Sequence, residues 1–297
     1  MGHSPREAII CHFQYLDSPP TPCYSLPINP IWGARRQRPG LRGRGHTLRP
    51  TNLIRIMPAE GSSRNRSLTP STAEGIFLPN PRAVIFANGE IKNLASTRAC
   101  LQAGDTLIAA DGGSHHCRAL GLTPRVLIGD LDSTAPDTLA AFELAGTQII
   151  RHPTRKDQTD LELALAWAVA HGAAEIIVLG ALGGRWDQTL ANLLLPTLPV
   201  FSSTPIRLID GDQQIVTVRG PGSITLTGAP GDTVSLIPVG GDVHAITTLG
   251  LEYPLTNGPI QFGATLGVSN VLIAPTATIT IQTGLLVCVH ISSPESP

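Results

Sequence analysis

The chain has 297 residues, of which 42% are hydrophobic and 14% are charged. This length is sufficient for two domains of the usual ~100–200 residues, and the composition excludes a wholly disordered chain. The net charge is −1, but residues 1–80 carry ten arginines against four acidic residues, whereas residues 81–297 carry eighteen acidic residues against eleven basic ones. The acidic part lacks the positive surface with which proteins bind nucleic-acid phosphates, so we expect no nucleic-acid partner for it.

The cysteines and the hydropathy pattern predict a soluble, cytoplasmic protein. The five cysteines are scattered, contain no C-x-x-C pair and are odd in number, which argues against a disulfide framework and against a zinc site. No segment approaches ~18 uninterrupted apolar residues, so no membrane span is expected. The N-terminus lacks a basic start followed by an apolar run, and we therefore predict no secretory signal.

Residues 1–80 are predicted to be a disordered extension rich in proline, arginine and glycine. The segment contains eleven prolines and seven glycines and shows no sustained helical or strand period. Its basic charge is also compatible with an anion-binding tail, but an unfolded extension is the favoured interpretation. Translation from Met57, the only other methionine, is an open alternative.

Residues 81–205 are predicted to form a doubly wound, Rossmann-like α/β domain. Short apolar runs alternate with segments compatible with helices, as expected when a parallel sheet is buried on both faces. The clearest helix spans residues 160–172, where Leu161, Leu165 and Val169 lie on one stripe. The predicted strands are 83–87, 106–110, 126–128, 148–150, 176–180 and 206–209, and the predicted helices are 93–103, 114–121, 134–145, 160–172 and 187–195.

Residues 206–297 are predicted to form a small all-β sandwich. No helical period is present here, and short runs rich in valine, isoleucine and threonine alternate with glycine and proline turns. Strands that recur about every 8–12 residues with such turns are typical of sandwiches and barrels. The expected strands are 223–228, 232–239, 270–274, 277–282 and 285–292.

Polar and mostly acidic residues follow the ends of the predicted parallel strands. Because ligands of open α/β sheets bind beyond the carboxyl ends of the strands, we expect these residues to meet at one edge of the sheet. Asp130 and Asp132 point the same way in extended backbone and could share a cation such as Mg²⁺, although helix capping also explains this pair. Together with Asp111 and Asp160 they would repel one another strongly unless a cation lies among them.

Basic residues and glycines accompany these acids. Lys156 is one of only two lysines, against nineteen arginines, and a compact ammonium suits a phosphate. Gly183 and Gly184 before a predicted helix are compatible with a plain turn and with phosphate binding by backbone N–H groups. Acids for Mg²⁺ and basic residues for phosphates indicate phosphoryl transfer. The chain has no Walker A loop, no protein-kinase motif set and no G-x-S-x-G elbow, which excludes those classes.

Several ordered motifs resemble those of the thiamine pyrophosphokinase family. The resemblance covers about residues 83–290 and implies an α/β domain, a β-sandwich and a homodimer with active sites at its interface. It also implies Mg²⁺-dependent transfer of the terminal diphosphate of ATP to the hydroxyethyl group of thiamine, giving AMP and thiamine diphosphate. The motifs are ADGGSHH (110–116), VLIGDLDS (126–133), KDQTDLELAL (156–165), LGALGGRWDQTLANLLL (179–195), GDTVSLIPV (231–239), TTLGLEYPL (247–255) and GVSN (267–270).

The same resemblance implies roles for individual residues. Two positions depart from the family pattern, because Gln188 stands where relatives often have histidine and Tyr253 stands where relatives have tryptophan. The implied catalytic residues are Asp111, Asp130, Asp132, Lys156, Asp160 and Arg185, of which the four aspartates form the Mg²⁺ cluster. The implied ATP-binding residues are Asn88, Gln158, Thr159, Gly184 and Asp187, and the implied thiamine-binding residues are Ser269 and Asn270.

Three other functions remain open at this point. A related pyrophosphokinase with another acceptor, such as a hydroxymethyl pterin, would share the α/β site, but the GVSN motif argues against it. A non-catalytic protein that binds thiamine or a nucleotide would not need four carboxylates directed at a metal. A DxD-type sugar transferase shares the Mg²⁺ chemistry but not the later motifs.

Overall fold

The structure is a computed structural model, which describes residues 82–293; the extension predicted for residues 1–80 lies outside the described residues. The strands are β1 (Arg82–Phe86), β2 (Thr106–Ala110), β3 (Val126–Gly129), β4 (Gln148–Arg151), β5 (Glu175–Leu179), β6 (Ile206–Asp210), β7 (Gln213–Arg219), β8 (Gly222–Thr227), β9 (Thr233–Pro238), β10 (Val243–Leu249), β11 (Gly258–Ile260), β12 (Asn270–Val271), β13 (Thr276–Ile281) and β14 (Leu285–Ile291). The α-helices are α1 (Leu94–Ala99), α2 (Ser114–Ala119), α3 (Pro136–Leu144), α4 (Asp160–Ala170) and α5 (Trp186–Leu194).

A ten-stranded sheet runs through most of the described chain in the order β12-β9-β14-β7-β6-β5-β1-β2-β3-β4. The strands from β6 to β4 in this order are parallel, and β6 continues into β7 as an antiparallel hairpin. The chain fills the sheet on one side of β1 with β2, β3 and β4 and then returns to the other side with β5 and β6. The topological switch point, where such sheets bind ligands, therefore lies between β1 and β5.

Helices cover both faces of the parallel part, as the continuous apolar strands predict. Alternate residues of β1 point to opposite faces, and Val84, Ile85 and Phe86 are all fully buried. On one face Ile85 belongs to a core with Leu161 and Leu165 of α4, which confirms the predicted stripe of that helix. On the other face Val84 and Phe86 share a core with residues of α2 and α3. No helix of residues 82–293 is long and apolar enough to span a membrane.

The antiparallel strands of the large sheet pack against a second sheet of four strands, in the order β11-β10-β13-β8. Leu226 and Ile279 of the small sheet lie in one core with Leu236 and Cys288 of the large sheet. A parallel sheet with helices followed by an antiparallel sandwich confirms the predicted fold class. The domain boundary at residue 205 remains a prediction, and the large sheet is continuous across it because β6 pairs with both β5 and β7.

The secondary structure of the α/β part agrees with the sequence prediction, whereas that of the sandwich does so only in part. The sequence did not predict β7, β10 or β11, and the strand expected at 270–274 is only the short β12. Gln213 and Gln214 begin β7, because a two-residue loop joins it to β6. In β10 the pairing register shifts at a bulge where Ala245 has φ +54°, and this irregularity breaks the alternation that marks a strand.

Candidate active site

A cleft of about 540 Å³ lies at the carboxyl ends of β1, β2, β3 and β5, which is the switch point of the sheet. Residues that follow five different strands, β1 to β5, form its walls, and most of its polar lining is acidic or amide. The polar side chains and glycines that line it include Asn88, Glu90, Asp111, Asp130, Asp132, Ser133, Thr159, Asp160, Gly184, Arg185, Gln188 and Asn192.

Three of the four predicted metal ligands converge in this cleft. Carboxylate oxygens of Asp111, Asp130 and Asp160 lie within 4.8 Å of one another. Asp111 begins a short 3₁₀ helix after β2, Asp130 follows β3, and Asp160 is the first residue of α4. Asp132 also lines the cleft, but its side chain is exposed, accepts a hydrogen bond from Ser133 Oγ at 3.0 Å and is not one of the three convergent carboxylates.

An unusual backbone at the ends of β2 and β3 lets the carboxylates approach one another. Asp111 has φ +42°, in the left-handed region that residues other than glycine seldom adopt. Such strained residues cluster at functional sites. Gly129 has φ +155°, and a Cβ atom at this position would lie 2.8 Å from Asp111 Cβ and 3.1 Å from Asp160 Oδ1. Any side chain at residue 129 would therefore push the acids apart.

Among residues 82–293, Lys156 is the cation that contacts this cluster. Its Nζ lies 3.0 Å from Asp160 Oδ1 and 4.0 Å from Asp130 Oδ2, and its side chain is largely buried. The contact with Asp160 is an ion pair rather than a well-directed hydrogen bond, because Oδ1 of Asp160 has no hydrogen-bond partner among the described residues. One ammonium for three carboxylates leaves the cluster short of positive charge.

Asp111 is the most buried and least compensated of the three carboxylates. Its residue is 5% exposed, and its Oδ1 has no hydrogen-bond partner among the described residues. Burial raises the pKa of Asp111, hydrogen bonding with Ser133 opposes this rise, and the negative charge of Asp160 adds to it. A buried acceptor oxygen without a donor, beside two further carboxylates, is suited to a divalent cation with oxygen ligands.

The turn before α5 brings a second basic group to the cleft. Gly184 and Arg185 line the cleft, and the Arg185 side chain is 72% exposed. Arg185 Nε donates to Asp187 Oδ1 at 3.0 Å, and a second guanidinium N–H donates to Asp187 Oδ2. Asp187 is not among the lining residues, and hydrogen bonding from Arg185 lowers its pKa. Its hydrogen bonds in the described chain are with Arg185 and with Gln188 N, which donates to Asp187 Oδ1 at 2.9 Å.

The other predicted ATP residues differ in their placement. Asn88 lines the cleft and packs so closely on Gly112 that a Cβ atom there would lie 2.1 Å from Asn88 Oδ1. Thr159 also lines the cleft, but its hydroxyl caps α4 by accepting a hydrogen bond from Glu162 N at 3.2 Å. Gln158 is not among the lining residues, and its amide donates to Glu162 Oε1 at 3.3 Å.

The predicted thiamine residues lie at the far end of the large sheet from the cleft. The strand partners give a continuous row that runs Asn270, Val234, His290, Gln214, Ile209, Leu179 and Phe86. Six strand spacings therefore separate Asn270 from Phe86, which is two residues before Asn88. At ~4.8 Å for each spacing, this separation is about 29 Å along the sheet.

Asn270 uses its side chain to hold a neighbouring loop. Its Nδ2 donates to Tyr253 O at 2.7 Å, and its Oδ1 accepts a hydrogen bond from Tyr253 N at 3.0 Å. Asn270 is 9% exposed, whereas Tyr253 and Ser269 are exposed. Ser269 has φ +61°, and its backbone N–H donates to Ser235 Oγ. The side chains that face solvent here are those of Tyr253 and Ser269.

Four polar residues that line the cleft have no role predicted from the sequence, although Gln188 is one of the two departures from the family pattern: Glu90, Ser133, Gln188 and Asn192. Helical spacing could have identified two of them, because Gln188 and Asn192 follow Arg185 at i+3 and i+7 and so share one face of α5. Asn192 Nδ2 donates to Ala181 O at 2.7 Å and thereby connects α5 to the glycine turn at 181–184. Glu90 follows β1 without a pattern that distinguishes it from a surface residue.

The sheet topology and the cleft define a class of protein: a doubly wound α/β protein with an acidic ligand site at its switch point, joined to an antiparallel sandwich. Two family models match the chain. The model described as the catalytic domain of thiamin pyrophosphokinase matches residues 97–208, and the model described as its vitamin B1 binding domain matches residues 221–286. The chain therefore belongs to the thiamine pyrophosphokinase family.

Individual relatives agree with this assignment. A thiamine pyrophosphokinase of Bacillus subtilis is 34% identical over 184 residues, which cover 62% of this chain and 86% of the relative. Thiamine pyrophosphokinase 3 of rice is 30% identical over 167 residues, which cover 53% of this chain and 62% of that relative. The crystal structure of a Bacillus subtilis thiamine pyrophosphokinase superimposes with a TM-score of 0.64 at 30% identity and covers 72% of this chain and 100% of that chain.

Proposed function

We propose that this protein is a thiamine pyrophosphokinase, which transfers the terminal diphosphate of ATP to the hydroxyethyl group of thiamine and releases AMP. Membership of the family supports this activity. The structural observation that carries the proposal is the convergence of Asp111, Asp130 and Asp160 with Lys156 at the switch point of the sheet. This combination provides ligands for a divalent cation and a positive charge for a phosphate in one cleft.

The three convergent carboxylates fit Mg²⁺, which prefers oxygen ligands and is commonly held by a few carboxylates together with substrate phosphates. The unpartnered Oδ1 of Asp111 supports this fit. Asp111, Asp130 and Asp160 would hold the ion, and Asp132 at the cleft wall would approach it from the exposed side. When bound, Mg²⁺ neutralises negative charge on the phosphates of ATP.

Basic groups of the cleft would bind the ATP phosphates opposite the carboxylates that hold Mg²⁺. Lys156 lies between two carboxylates and would place its ammonium against a phosphate oxygen. Arg185 is exposed and can turn from Asp187 toward a phosphate with its planar set of N–H donors. The glycine turn at Gly184 precedes the N-terminus of α5, where backbone N–H groups and the helix dipole favour negative charge. Catalysis in this site is mainly positioning and stabilisation of charge.

We also propose that the active site is shared between two copies of the chain. Diphosphate transfer requires the thiamine hydroxyl and the attacked phosphorus to lie within about 3–3.5 Å of each other. Ser269 and Asn270 are about 29 Å along the sheet from the cleft of their own chain, a separation that a molecule the size of thiamine does not bridge. In a homodimer in which one copy brings these residues to the cleft of the other, the thiamine hydroxyl and the attacked phosphorus can lie within reacting distance.

Exposed apolar side chains beside both regions support such a dimer. On α5, Trp186, Leu190 and Leu194 are exposed at helical spacing, directly after the glycine turn of the cleft. Around Ser269 the exposed apolar side chains include Tyr253, Phe262, Leu266 and Val268. Apolar patches of this kind are typical of interaction surfaces.

Mixing two inactive variants tests the shared site. Asp130→Asn disables the cleft and Asn270→Ala disables the thiamine side, so each homodimer should be inactive. If sites are shared, half of the molecules in a co-refolded equal mixture are heterodimers with one intact site, and activity should recover to about a quarter of the wild-type value. A mixture of Asp130→Asn with Asp111→Asn is the matched control and should stay inactive. Failure of the first mixture to recover activity would contradict the shared site.

Thiamine-dependent formation of AMP tests the activity itself. The full chain is incubated with ATP and Mg²⁺, with and without thiamine, and AMP and ADP are measured separately. Thiamine-dependent AMP without ADP is expected, and Asp130→Asn should abolish it. AMP that forms only with another acceptor, such as a hydroxymethyl pterin, would refute the proposed acceptor, and no AMP with any acceptor would refute the enzyme.

The cytoplasmic location remains a prediction from the cysteine pattern. Cys100, Cys117 and Cys288 are free thiols in the described chain, and Cys117 and Cys288 are buried. These observations are in keeping with a reducing compartment, where unpaired cysteines are common.

A further inference from the structure

A buried acid–histidine pair lies inside the sandwich, outside the cleft. His290 of β14 is 1% exposed and Asp232, directly before β9, is 3% exposed. His290 Nε2 lies 2.8 Å from Asp232 Oδ2. Since Nδ1 of His290 has no hydrogen-bond partner among the described residues, Nε2 is the nitrogen whose proton is used in this contact. The proposed reaction assigns no role to this pair.

The surroundings of the pair are closely fitted to it. Asp232 Oδ2 also accepts a hydrogen bond from Ala229 N, and Asp232 Oδ1 accepts one from Ser293 N, both at 2.9 Å. A Cβ atom at Gly228 would lie 2.4 Å from Asp232 Oδ2 and 2.7 Å from His290 Nε2, so only glycine fits there. The carboxylate thus joins the turn at 229–232 to the end of β14.

The turn at 229–232 is hydrogen-bonded to Leu272, which directly follows β12, the strand beside the predicted thiamine residues. Gly231 N donates to Leu272 O and Leu272 N donates to Asp232 O, both at 2.8 Å. Leu272 directly follows β12, and β12 pairs with β9 only at the two positions next to Asp232, where Val271 faces Thr233 and Asn270 faces Val234. On its other side β12 is held by the 251–253 loop, where Glu252 N donates to Val271 O at 2.9 Å and the Asn270 side chain binds Tyr253, so the turn at 229–232 is one of two supports of this short strand.

We propose that Asp232 and His290 are positioning residues for the thiamine side of the active site. The pair holds the turn at 229–232, the turn holds β12 through Leu272, and β12 sets the position of Ser269 and of the Tyr253 loop that Asn270 binds. This role rests on the proposed function. It predicts a larger effect on thiamine binding than on ATP binding, because the hydrogen bonds of the pair and of its turn reach Leu272 beside β12 and no residue that lines the cleft.

Two substitutions of His290 test the proposal. His290→Phe keeps an aromatic ring of similar size but removes the donor to Asp232, whereas His290→Gln places an amide N–H near the position of Nε2. Because a hydrogen bond to a charged group is lost, His290→Phe should raise the KM for thiamine about tenfold or more and leave the KM for ATP and kcat within about twofold. His290→Gln should restore a KM for thiamine close to that of the wild type.

Amide hydrogen exchange gives a readout that does not require activity. The amides of Gly231 and Leu272 should exchange faster in His290→Phe than in the wild type, and His290→Gln should restore their protection. Asp105→Asn is the matched control, because it removes a buried ion pair with Arg82 in the α/β part and should change neither KM nor these amides.

The outcomes separate the two proposals. Equal increases of both KM values in His290→Phe, or unchanged kinetics with unchanged exchange, would overturn the positioning role. If the wild type forms no thiamine-dependent AMP, the proposed function fails, and unchanged exchange at Gly231 and Leu272 would then overturn the structural coupling as well.

Discussion

Asp111→Asn is expected to stabilise the protein in the absence of metal while it destroys activity. The carboxylate oxygens of the cluster lie within 4.8 Å of one another, and two unit charges at that distance repel each other by about 3.5 kcal/mol at an effective dielectric constant of ~20. Lys156 contacts Asp130 and Asp160, and no ion pair involves Asp111 among the described residues, so Asp111 carries the uncompensated charge. Removal of its charge should therefore raise the free energy of unfolding of the metal-free protein by about 1–3 kcal/mol, because Lys156 already offsets part of the repulsion.

The pH dependence of this gain follows from the pKa of Asp111. Burial and the charge of Asp160 raise this pKa, so the folded protein binds the proton more tightly than the unfolded chain. The ionised carboxylate of Asp111 thus lowers the free energy of unfolding at pH values above its raised pKa. This loss of stability disappears as the pH falls below ~4, the ordinary pKa of an aspartate. The advantage of Asp111→Asn should be full at neutral pH and should vanish in acid.

Thermal unfolding without and with Mg²⁺ and ATP is the assay. At neutral pH without metal, Tm of Asp111→Asn should rise by about 3–10 °C, because ~1 kcal/mol corresponds to ~2–4 °C for a domain of this size. Mg²⁺ with ATP should raise Tm of the wild type but raise that of the variant much less. Asp132→Asn, at an exposed carboxylate outside the three, should change the metal-free Tm little. A lower Tm for metal-free Asp111→Asn, or a full Mg²⁺ response, would refute the electrostatic reasoning.

Three further substitutions test other parts of the account. Gly129→Ala should abolish Mg²⁺-dependent activity and lower Tm, measured by AMP release and thermal unfolding, because its Cβ would lie 2.8 Å from Asp111 Cβ. Arg185→Gln should raise the KM for ATP about tenfold with an unchanged Tm, because its exposed side chain holds substrate rather than the fold; an unchanged KM would exclude the phosphate role. Burial opposes ionisation of Asp232, but hydrogen bonds from Ala229, Ser293 and His290 outweigh it and lower the pKa. Its stabilisation is thus present above pH ~4 and lost as the pH falls through the lowered pKa. Asp232→Asn should therefore weaken the dependence of the free energy of unfolding on pH, measured by urea unfolding at about pH 2–5; an unaltered slope of this free energy against pH would contradict this.

The α/β part could be predicted from the sequence because its signals are local. Strands buried on both faces read as continuous apolar runs, and their helices carry apolar stripes, as in the Leu161 and Leu165 pair of α4. The order of strands and acids along the chain then placed Asp111, Asp130 and Asp160 at one sheet edge, and the structure brings their carboxylates together. Fold rules of this kind need no knowledge of side-chain contacts.

The rest depends on contacts between distant residues, which leave no local pattern. β10 carries a bulge, and β12 is only two residues long, so neither shows the alternation of a regular strand. The separation of the thiamine residues from the cleft follows from the strand order, with β12 at the opposite end of the large sheet. The pair of Asp232 and His290, 58 residues apart in the chain, could likewise not be found from spacing.

Phosphorus NMR of the reaction products distinguishes transfer of an intact diphosphate from transfer of a single phosphate. The full chain is incubated with ATP, Mg²⁺ and thiamine, and the phosphorus signals of all products are followed to completion. Transfer of an intact diphosphate predicts AMP and thiamine diphosphate in equal amounts, with neither ADP nor thiamine monophosphate as an intermediate. ADP with thiamine monophosphate would show transfer of a single phosphate and would contradict the account.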